Sequence, residues 1–175
     1  PGSCFAGFLA ELIFVADQSY MLLGQFEFSE KTDATITLTD FNFGPCKMVN
    51  GITRLESRFF GQNLKLDAIK ENCYTPLKAS EAEILELVTF IPDDIDWEDE
   101  LRMTIESRVG FSPDALSGME ANLRFVGPET IESKIFSRLS AWQNWIFQRP
   151  NAVGEKGALV LYGTGERAQF KKERV

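Results

Sequence analysis

The sequence predicts an α/β fold, a core with strands followed by a helical C-terminal extension, from three observations. Residues 35–39 alternate threonine with an apolar residue, and this period of two is typical of a half-buried strand. Three short helices are predicted afterwards, at 52–60, 64–72 and 80–87. Farther on, apolar residues recur every three or four positions and predict one long helix; they are Ile131, Ile135, Leu139, Trp142 and Ile146.

Shorter elements are expected around these. Four more strands are predicted, at 19–22, 25–28, 88–90 and 158–162. Two more helices are predicted, one from residue 96 to about 109 and one over 114–125, because Asp96 and Ser112 are good capping residues. The acidic run around Asp96 invites a metal hypothesis, but helix capping explains it, and no metal is expected.

Length and composition restrict the class of protein. The 175 residues suggest one domain with an appendage, and 44 % hydrophobic residues suffice for a core. The net charge of −8 argues against a nucleic-acid partner, because phosphate contacts need lysine and arginine. Neither a signal peptide, a transmembrane pattern nor a basic amphipathic run is visible, so we expect no membrane contact.

The cysteines and the absence of histidine restrict the possible disulfide, catalytic and metal-binding chemistry of the chain. Cys4, Cys46 and Cys73 are scattered and odd in number, so a disulfide framework is not expected and a reducing cytoplasm fits. Without histidine there is no histidine-based catalytic triad. Without a Cys-x-x-Cys pair as well, a structural zinc site has too few ligands.

The most informative segment lies near the N-terminus. Residues 6–16 are apolar apart from Glu11 and predict a core helix buried on every side. Gly7 lets the chain turn tightly at its start, where the free N–H groups of the first turn favour negative charge. Glu11 lies about one turn further in. The residues alone leave an alternative open, a core helix whose glutamate reaches solvent or pairs with an arginine.

This segment resembles the central motif of the crotonase superfamily, a glycine-rich turn followed by Glu-Leu, an apolar run and Asp. The corresponding residues are Gly7 to Leu12 and then Asp17. The resemblance implies a crotonase-like (ClpP/crotonase spiral) core, present in part. It also implies that the backbone N–H groups of Gly7 and Phe8 form an oxyanion hole for a coenzyme A thioester, with Glu11 as a catalytic residue.

A narrower resemblance covers essentially the whole chain. The chain is similar to the C-terminal part of the benzoyl-CoA-dihydrodiol lyases, a ring-cleaving family of aerobic benzoate degradation. The motifs that carry it are SCFAG, DQSYML, NGITRLESRFFG, LVTFIPDDIDWEDE, FSPDALSGMEANLRF, AWQNWIFQRPNAVGEKGAL and YGTG. The resemblance implies that water opens the ring of 2,3-epoxybenzoyl-CoA, formate leaves and 3,4-dehydroadipyl-CoA semialdehyde remains. It implies no cofactor apart from the coenzyme A of the substrate.

The resemblance also implies a second catalytic carboxylate, near the end of the strand at 35–39. Asp40 is nearest to that position, and Asn42 and Gly44 in the following bend are expected to bind substrate. The alternative is that Asp40 simply caps a turn.

Two further positions carry expectations. Arg54 and Arg58 lie one turn apart. We expect them to lie on a solvated face or to form an ion pair with Glu56. The alternative is that they bind a buried carboxylate or a coenzyme A phosphate. Glu86 stands where the superfamily usually ends a helix with glycine. Without that glycine we expect the helix to lose its left-handed cap.

We predict a core at 1–95, a helical extension at 96–150 and a tail at 151–175. The chain resembles a piece of a longer enzyme, so the expected partners are the acyl-CoA substrate, the missing N-terminal half and further copies in a homo-oligomer. Two alternatives stay open. The chain is a non-catalytic scaffold of that enzyme, or it is an ordinary enoyl-CoA hydratase or isomerase.

Overall fold

The structure is a computed structural model that describes residues 1–124, 126–127 and 129–171. The chain forms two compact units, Pro1–Met103 and Thr104–Val175. The first contains both strands and several short helices, and the second is helical. The predicted three-part division of the chain stays a prediction, and the last four residues of the predicted tail lie outside the described part.

The first unit begins with a two-stranded parallel sheet. Strand β1, Cys4–Ala6, pairs with β2, Thr35–Thr37, and Phe5 lies opposite Ile36. The other edge of β2 makes an antiparallel bridge between Ile36 and Leu77. The strand predicted at 35–39 is thus confirmed in a shorter form, with Ile36 and Leu38 pointing into the core.

The segment after β1 is helical but only half buried. A 3₁₀ turn, Gly7–Leu9, runs directly into helix α1, Ala10–Val15, whose buried residues are Ala10, Glu11 and Phe14. The prediction of a helix buried on every side is wrong, because this short helix meets the core along one face. Its other face exposes Phe8, Leu9, Leu12 and Val15.

The three short helices predicted next are confirmed within a few residues at their ends. They are α2, Arg54–Arg58, α3, Asn63–Glu71, and α4, Ala79–Ile84. Helix α2 begins with a capping box, in which the Thr53 hydroxyl accepts the Glu56 N–H and the Glu56 carboxylate accepts the Thr53 N–H. The buried side chains of this unit include Ile36, Leu38, Leu55, Ile69 and Leu87.

The expected loss of the left-handed cap at the end of α4 is wrong, because Glu86 adopts the left-handed conformation in place of glycine. Glu86 has a φ of +55°, in the left-handed region where glycine is favoured. The Leu87 N–H donates to the Ala82 carbonyl at 2.8 Å and so closes the helix end. A non-glycine residue in this conformation costs about 1 kcal/mol, and the ion pair between Lys65 and Glu86 at 2.5 Å offsets part of that cost.

The other predicted strands are mostly absent from the described residues. Segments 19–22 and 88–90 pair through one parallel bridge, Tyr20 with Phe90, and a hydrogen bond from the Met21 N–H to the Phe90 carbonyl. Residues 25–28 form no strand, since Phe28 turns the chain with a φ of +62°.

The second unit shares its first helix with the first unit. Helix α5, Trp97–Val109, crosses the boundary, and α6 follows at Pro113–Leu123, capped by Ser112 as predicted. Phe125, the predicted end of α6, lies outside the described residues. The long helix is confirmed as three continuous segments: α7, Ile131–Lys134, a π-helical turn, Ile135–Leu139, and α8, Ser140–Ile146.

Close packing inside the second unit depends on one glycine. A Cβ atom added to Gly118 of α6 would lie 2.8 Å from Cδ1 of Ile146, so the two helices approach where a side chain is missing. After α8, Pro150–Val153 forms α9. The strand predicted at 158–162 is wrong, because the Ala158 and Leu159 N–H groups donate to carbonyls of α9 and the segment continues in turns.

A buried polar cluster, the Asp114 cluster, fixes the C-terminal segment to α6. Asp114 is 6 % exposed, and its carboxylate accepts hydrogen bonds from Asn151 Nδ2 at 2.9 Å and Arg149 Nε at 3.4 Å. Asn151 Oδ1 accepts the Lys171 N–H at 2.8 Å. The Arg149 guanidinium also lies 4.9 Å from the centre of the Trp145 ring.

In the described part of the chain no helix has the length and apolar character needed to cross a bilayer.

Candidate functional site

The candidate site is built around the turn at Gly7, where β1 passes into the helical segment. Gly7 has a φ of +50°, a conformation that favours glycine. A Cβ at this position would also lie 3.2 Å from the Thr39 hydroxyl. The tight bend expected at Gly7 is therefore present, and it faces the residues that follow β2.

Glu11 lies one turn into this helix and is 4 % exposed. Its Oε1 accepts a hydrogen bond from Asn42 Nδ2 at 2.6 Å, and its Oε2 accepts one from an Arg54 guanidinium nitrogen at 3.1 Å. A charge this deeply buried is stable only with such partners. Of the alternatives for Glu11, the structure shows pairing with an arginine rather than exposure to solvent.

Asn42 joins Glu11 to the glycine turn. It lies in a 3₁₀ turn, Asp40–Phe43, and its Oδ1 accepts the Thr39 N–H at 3.0 Å. Its Nδ2 donates to the Gly7 carbonyl at 2.8 Å as well as to Glu11. The hydrogen-bonding groups of this fully buried amide are thus occupied by protein, which favours a positioning role over the predicted contact with substrate.

Arg54 completes what we call the Glu11 cluster, namely Glu11, Asn42 and Arg54. It is the first residue of α2, placed by the Thr53 cap, and its side chain is 27 % exposed. The preferred expectation, an ion pair with Glu56 or a solvated face, is wrong, because the Glu56 carboxylate is bound to the Thr53 backbone. The clamp on a buried carboxylate is the alternative that the structure shows.

Asp40 lies beside this cluster in sequence but in a different environment. It is exposed at the start of the 3₁₀ turn, and the Tyr74 hydroxyl donates to its Oδ2 at 2.8 Å. Gly44, half-buried, ends the same turn. Tyr74 was not predicted as a site residue, and no signal in the sequence marks it, because a turn after α3 brings it to Asp40.

Phe8, whose backbone N–H is a predicted oxyanion donor, has an exposed side chain. Its side chain is 64 % exposed, and its ring meets the Phe41 ring edge-on at 5.9 Å. The Phe8 ring therefore lies at the surface and does not fill an interior hollow.

Asp40 also influences the acidity of its neighbours. Its hydrogen bond with Tyr74 raises the pKa of the Tyr74 phenol. Burial, and secondly the charge of Asp40, raise the pKa of the Cys73 thiol.

Neither the apolar cavity of the first unit nor the metal-ligating side chains of the described residues add to the candidate site. The first unit has a half-open apolar cavity of about 240 Å³, lined in part by Phe5, Tyr20, Met21 and Trp97, but none of the predicted site residues lines it. Over residues 1–124, 126–127 and 129–171, no three His, Cys, Asp or Glu side chains are grouped to hold a metal ion.

Solved structures define the class of fold. An enoyl-CoA hydratase of Geobacillus kaustophilus superimposes with a TM-score of 0.65 at 17 % identity, covering 96 % of this chain and 58 % of that one. An enoyl-CoA hydratase of Mycobacterium smegmatis gives 0.63 at 15 % identity, covering 95 % and 58 %. The fold is that of the crotonases, as the resemblance implied.

A curated relative gives the narrower likeness. The chain is 51 % identical over all 175 residues to the benzoyl-CoA-dihydrodiol lyase of Aromatoleum evansii, and it spans 31 % of the length of that protein. The resemblance drawn from the motifs is confirmed. No family model matches the chain.

Proposed function

We propose that this chain is a portion of a lyase that opens the ring of 2,3-epoxybenzoyl-CoA with water and releases formate to give 3,4-dehydroadipyl-CoA semialdehyde. The identity with the Aromatoleum benzoyl-CoA-dihydrodiol lyase supports a lyase that acts on a benzoyl-CoA derivative, and the proposed reaction is consistent with that name. One observation supports a catalytic role for this portion: the buried Glu11 carboxylate is tied by Asn42 to the glycine turn that begins the helix.

The turn supplies the electrostatic part of the mechanism. The thioester carbonyl of the substrate holds negative charge as the ring opens. The N–H groups of Gly7 and Phe8 come at the start of the helical segment, where no preceding turn offers an acceptor. They would donate to that oxygen, and losing one such donor typically costs about 10²–10³ in rate.

The carboxylates supply the proton chemistry. Asn42 and Arg54 each bind one oxygen of Glu11, which fixes the orientation of the carboxylate while it positions water or moves a proton. Asp40 is the second candidate, and its exposure leaves it open to substrate. Neither a redox cofactor nor a metal enters the proposed reaction.

A second candidate is a non-catalytic scaffold that shapes the pocket of the longer enzyme. The burial of Glu11 favours it, because both oxygens already have protein partners. Phe8 favours it too, since the superfamily usually has glycine at this point and a large side chain hinders close approach of the thioester.

The proposed partners are the acyl-CoA substrate, the remainder of the enzyme and further copies of the chain in a homo-oligomer, located in the cytoplasm. The exposed apolar face of the Gly7–Val15 segment supports a protein partner on that side.

The deciding experiment uses the full product of the gene that encodes this chain. Ring opening and formate release from 2,3-epoxybenzoyl-CoA are measured for Glu11→Gln, with Glu83→Gln, an exposed glutamate of α4, as the matched control. We expect Glu11→Gln to lose about 10²–10⁴ in kcat while the control keeps its rate. Circular dichroism checks that both variants fold.

Two other results would point to the alternatives. An unchanged rate in Glu11→Gln would favour the scaffold. Hydration of a simple 2-enoyl-CoA, without formate release from the epoxide, would identify an ordinary hydratase.

A further inference from the structure

Tyr74 has an unusual backbone for its type. Its φ is +64°, and it is the third residue of the turn 72–75, which the Thr75 N–H closes onto the Asn72 carbonyl at 3.2 Å. A left-handed third residue is the position where turns favour glycine. A tyrosine there costs about 1–2 kcal/mol, so contacts elsewhere in the fold must compensate.

Burial does not provide that compensation, because the Tyr74 side chain is 62 % exposed. Within the described residues, two other non-glycine residues have a positive φ, and both serve chain reversal. Glu86 ends α4, and Phe28 lies in a surface turn with its ring almost fully exposed. The Tyr74 hydroxyl donates to Oδ2 of Asp40, a candidate site residue, at 2.8 Å. The Glu86 carboxylate instead pairs with Lys65, outside the candidate site.

The backbone around Tyr74 directs this bond. The Tyr74 N–H donates to the Leu38 carbonyl at 2.8 Å, two residues before Asp40. Farther along, Leu77 and Ile36 exchange both backbone hydrogen bonds at 2.8 and 2.9 Å. Residues 74–77 therefore run antiparallel to 36–38, and the left-handed turn places the tyrosine beside the carboxylate.

We propose that Tyr74 is a positioning residue that holds the Asp40 carboxylate in its working orientation. The effect of Tyr74 on catalysis rests on the proposed function. Its coupling to Asp40, meaning the hydrogen bond between the two side chains, rests on the contacts alone. Strained residues collect at functional sites, where the surrounding structure enforces them. A single neutral donor suits this role, because it orients one oxygen of Asp40 and leaves the other open to substrate or water.

The coupling is tested without any activity assay. Tyrosine ionisation is followed by ultraviolet absorbance in the wild type, in Asp40→Asn and in Tyr74→Phe of the full gene product. Subtracting the Tyr74→Phe curve removes the signal of every other tyrosine of the full gene product, including Tyr20 and Tyr162 of this chain. Because the bond to Asp40 raises the pKa of Tyr74, we expect its titration in Asp40→Asn to move to lower pH. An unmoved titration would overturn the proposal.

The catalytic consequence is tested by a double-mutant cycle on ring opening. We expect Tyr74→Phe to lower kcat about tenfold with KM within about twofold, as for a lost hydrogen bond to a charged group. The double variant Tyr74→Phe/Asp40→Asn should be no slower than Asp40→Asn alone. Tyr162→Phe, an exposed tyrosine of the second unit, is the matched control and should keep the wild-type rate.

The outcomes separate this inference from the proposed function. A normal kcat in Tyr74→Phe, or additive losses in the double variant, would show that Tyr74 does not act through Asp40. A failure of the proposed function has another signature: the wild type opens no ring, while the titration of Tyr74 still responds to Asp40→Asn and supports the coupling.

Discussion

The Glu11 cluster of the first unit and the Asp114 cluster of the second have the same composition. Each contains a buried carboxylate, 4 % and 6 % exposed, bound by a buried asparagine and a partly exposed arginine. In the first, Asn42 reaches the glycine turn, where a helix begins. In the second, Asn151 reaches the backbone of Lys171 and fixes a chain end.

The comparison shows that a buried, fully paired carboxylate is not by itself a sign of catalysis. Burying a charge demands partners wherever it occurs, so the two units arrive at similar solutions. The difference lies in what surrounds each cluster. Asn42 links Glu11 to the tight bend at Gly7, whereas the Trp145 ring stacks on the arginine that binds Asp114.

The arginines give the largest expected effect and test the comparison directly. Arg54→Met and Arg149→Met each leave a carboxylate without its cationic partner. Loss of one partner of a fully buried pair costs 3–5 kcal/mol, so these partly exposed arginines should cost about 2 kcal/mol each. Urea unfolding measures the loss of stability, and ring opening should fall only in Arg54→Met. An equal loss of activity in both would remove the distinction between the clusters.

A substitution at Glu86 tests the stability of the first unit without altering the Glu11 cluster. Glu86→Gly relieves the left-handed strain but loses the ion pair with Lys65 and loosens the unfolded chain. We expect a net gain of about 0.5 kcal/mol in the free energy of unfolding, with activity unchanged. Thermal unfolding is the measurement. A lower melting temperature would mean that the Lys65 pair outweighs the strain.

The smallest effect on stability is expected for the ion pair between Lys78 and Asp33, which is partly exposed to solvent. The hydrogen bond from Lys78, with a smaller one from Gln25, lowers the pKa of Asp33 in the folded state. A lowered pKa stabilises the fold at pH values above the unfolded pKa, and the gain disappears as pH falls through the folded pKa. Asp33→Asn should therefore melt slightly below the wild type near pH 6, and the two should converge as the pH falls through the lowered pKa of Asp33. A difference that persists in acid would contradict this origin.

Much of the fold was predictable because local chemistry determines helix ends and strand periods. The Ser112 cap, the alternation at 35–39 and the stripe of the long helix were predicted, and each appears in the structure. The expected strands at 25–28 and 158–162 failed because a strand needs a neighbour to pair with. In the second case the available carbonyls belong to α9.

The site was predictable only in part. Gly7 and Glu11 were found from a motif, but the roles of Asn42 and Arg54 depend on contacts between residues 31 and 43 positions apart. Tyr74 reaches Asp40 across 34 positions, through a turn whose left-handed residue is not the usual glycine. The spacing of residues along the chain cannot predict contacts between such distant positions.

The sequence by itself determined the α/β class, the helix starts and the likeness to ring-cleaving lyases, because these depend on neighbouring residues or on whole motifs. Only the tertiary structure decided which face of the Gly7–Val15 segment is buried and which side chains neutralise Glu11. The reason is physical: the cost of burying a charge depends on all the groups around it, and folding brings those groups together from distant parts of the chain.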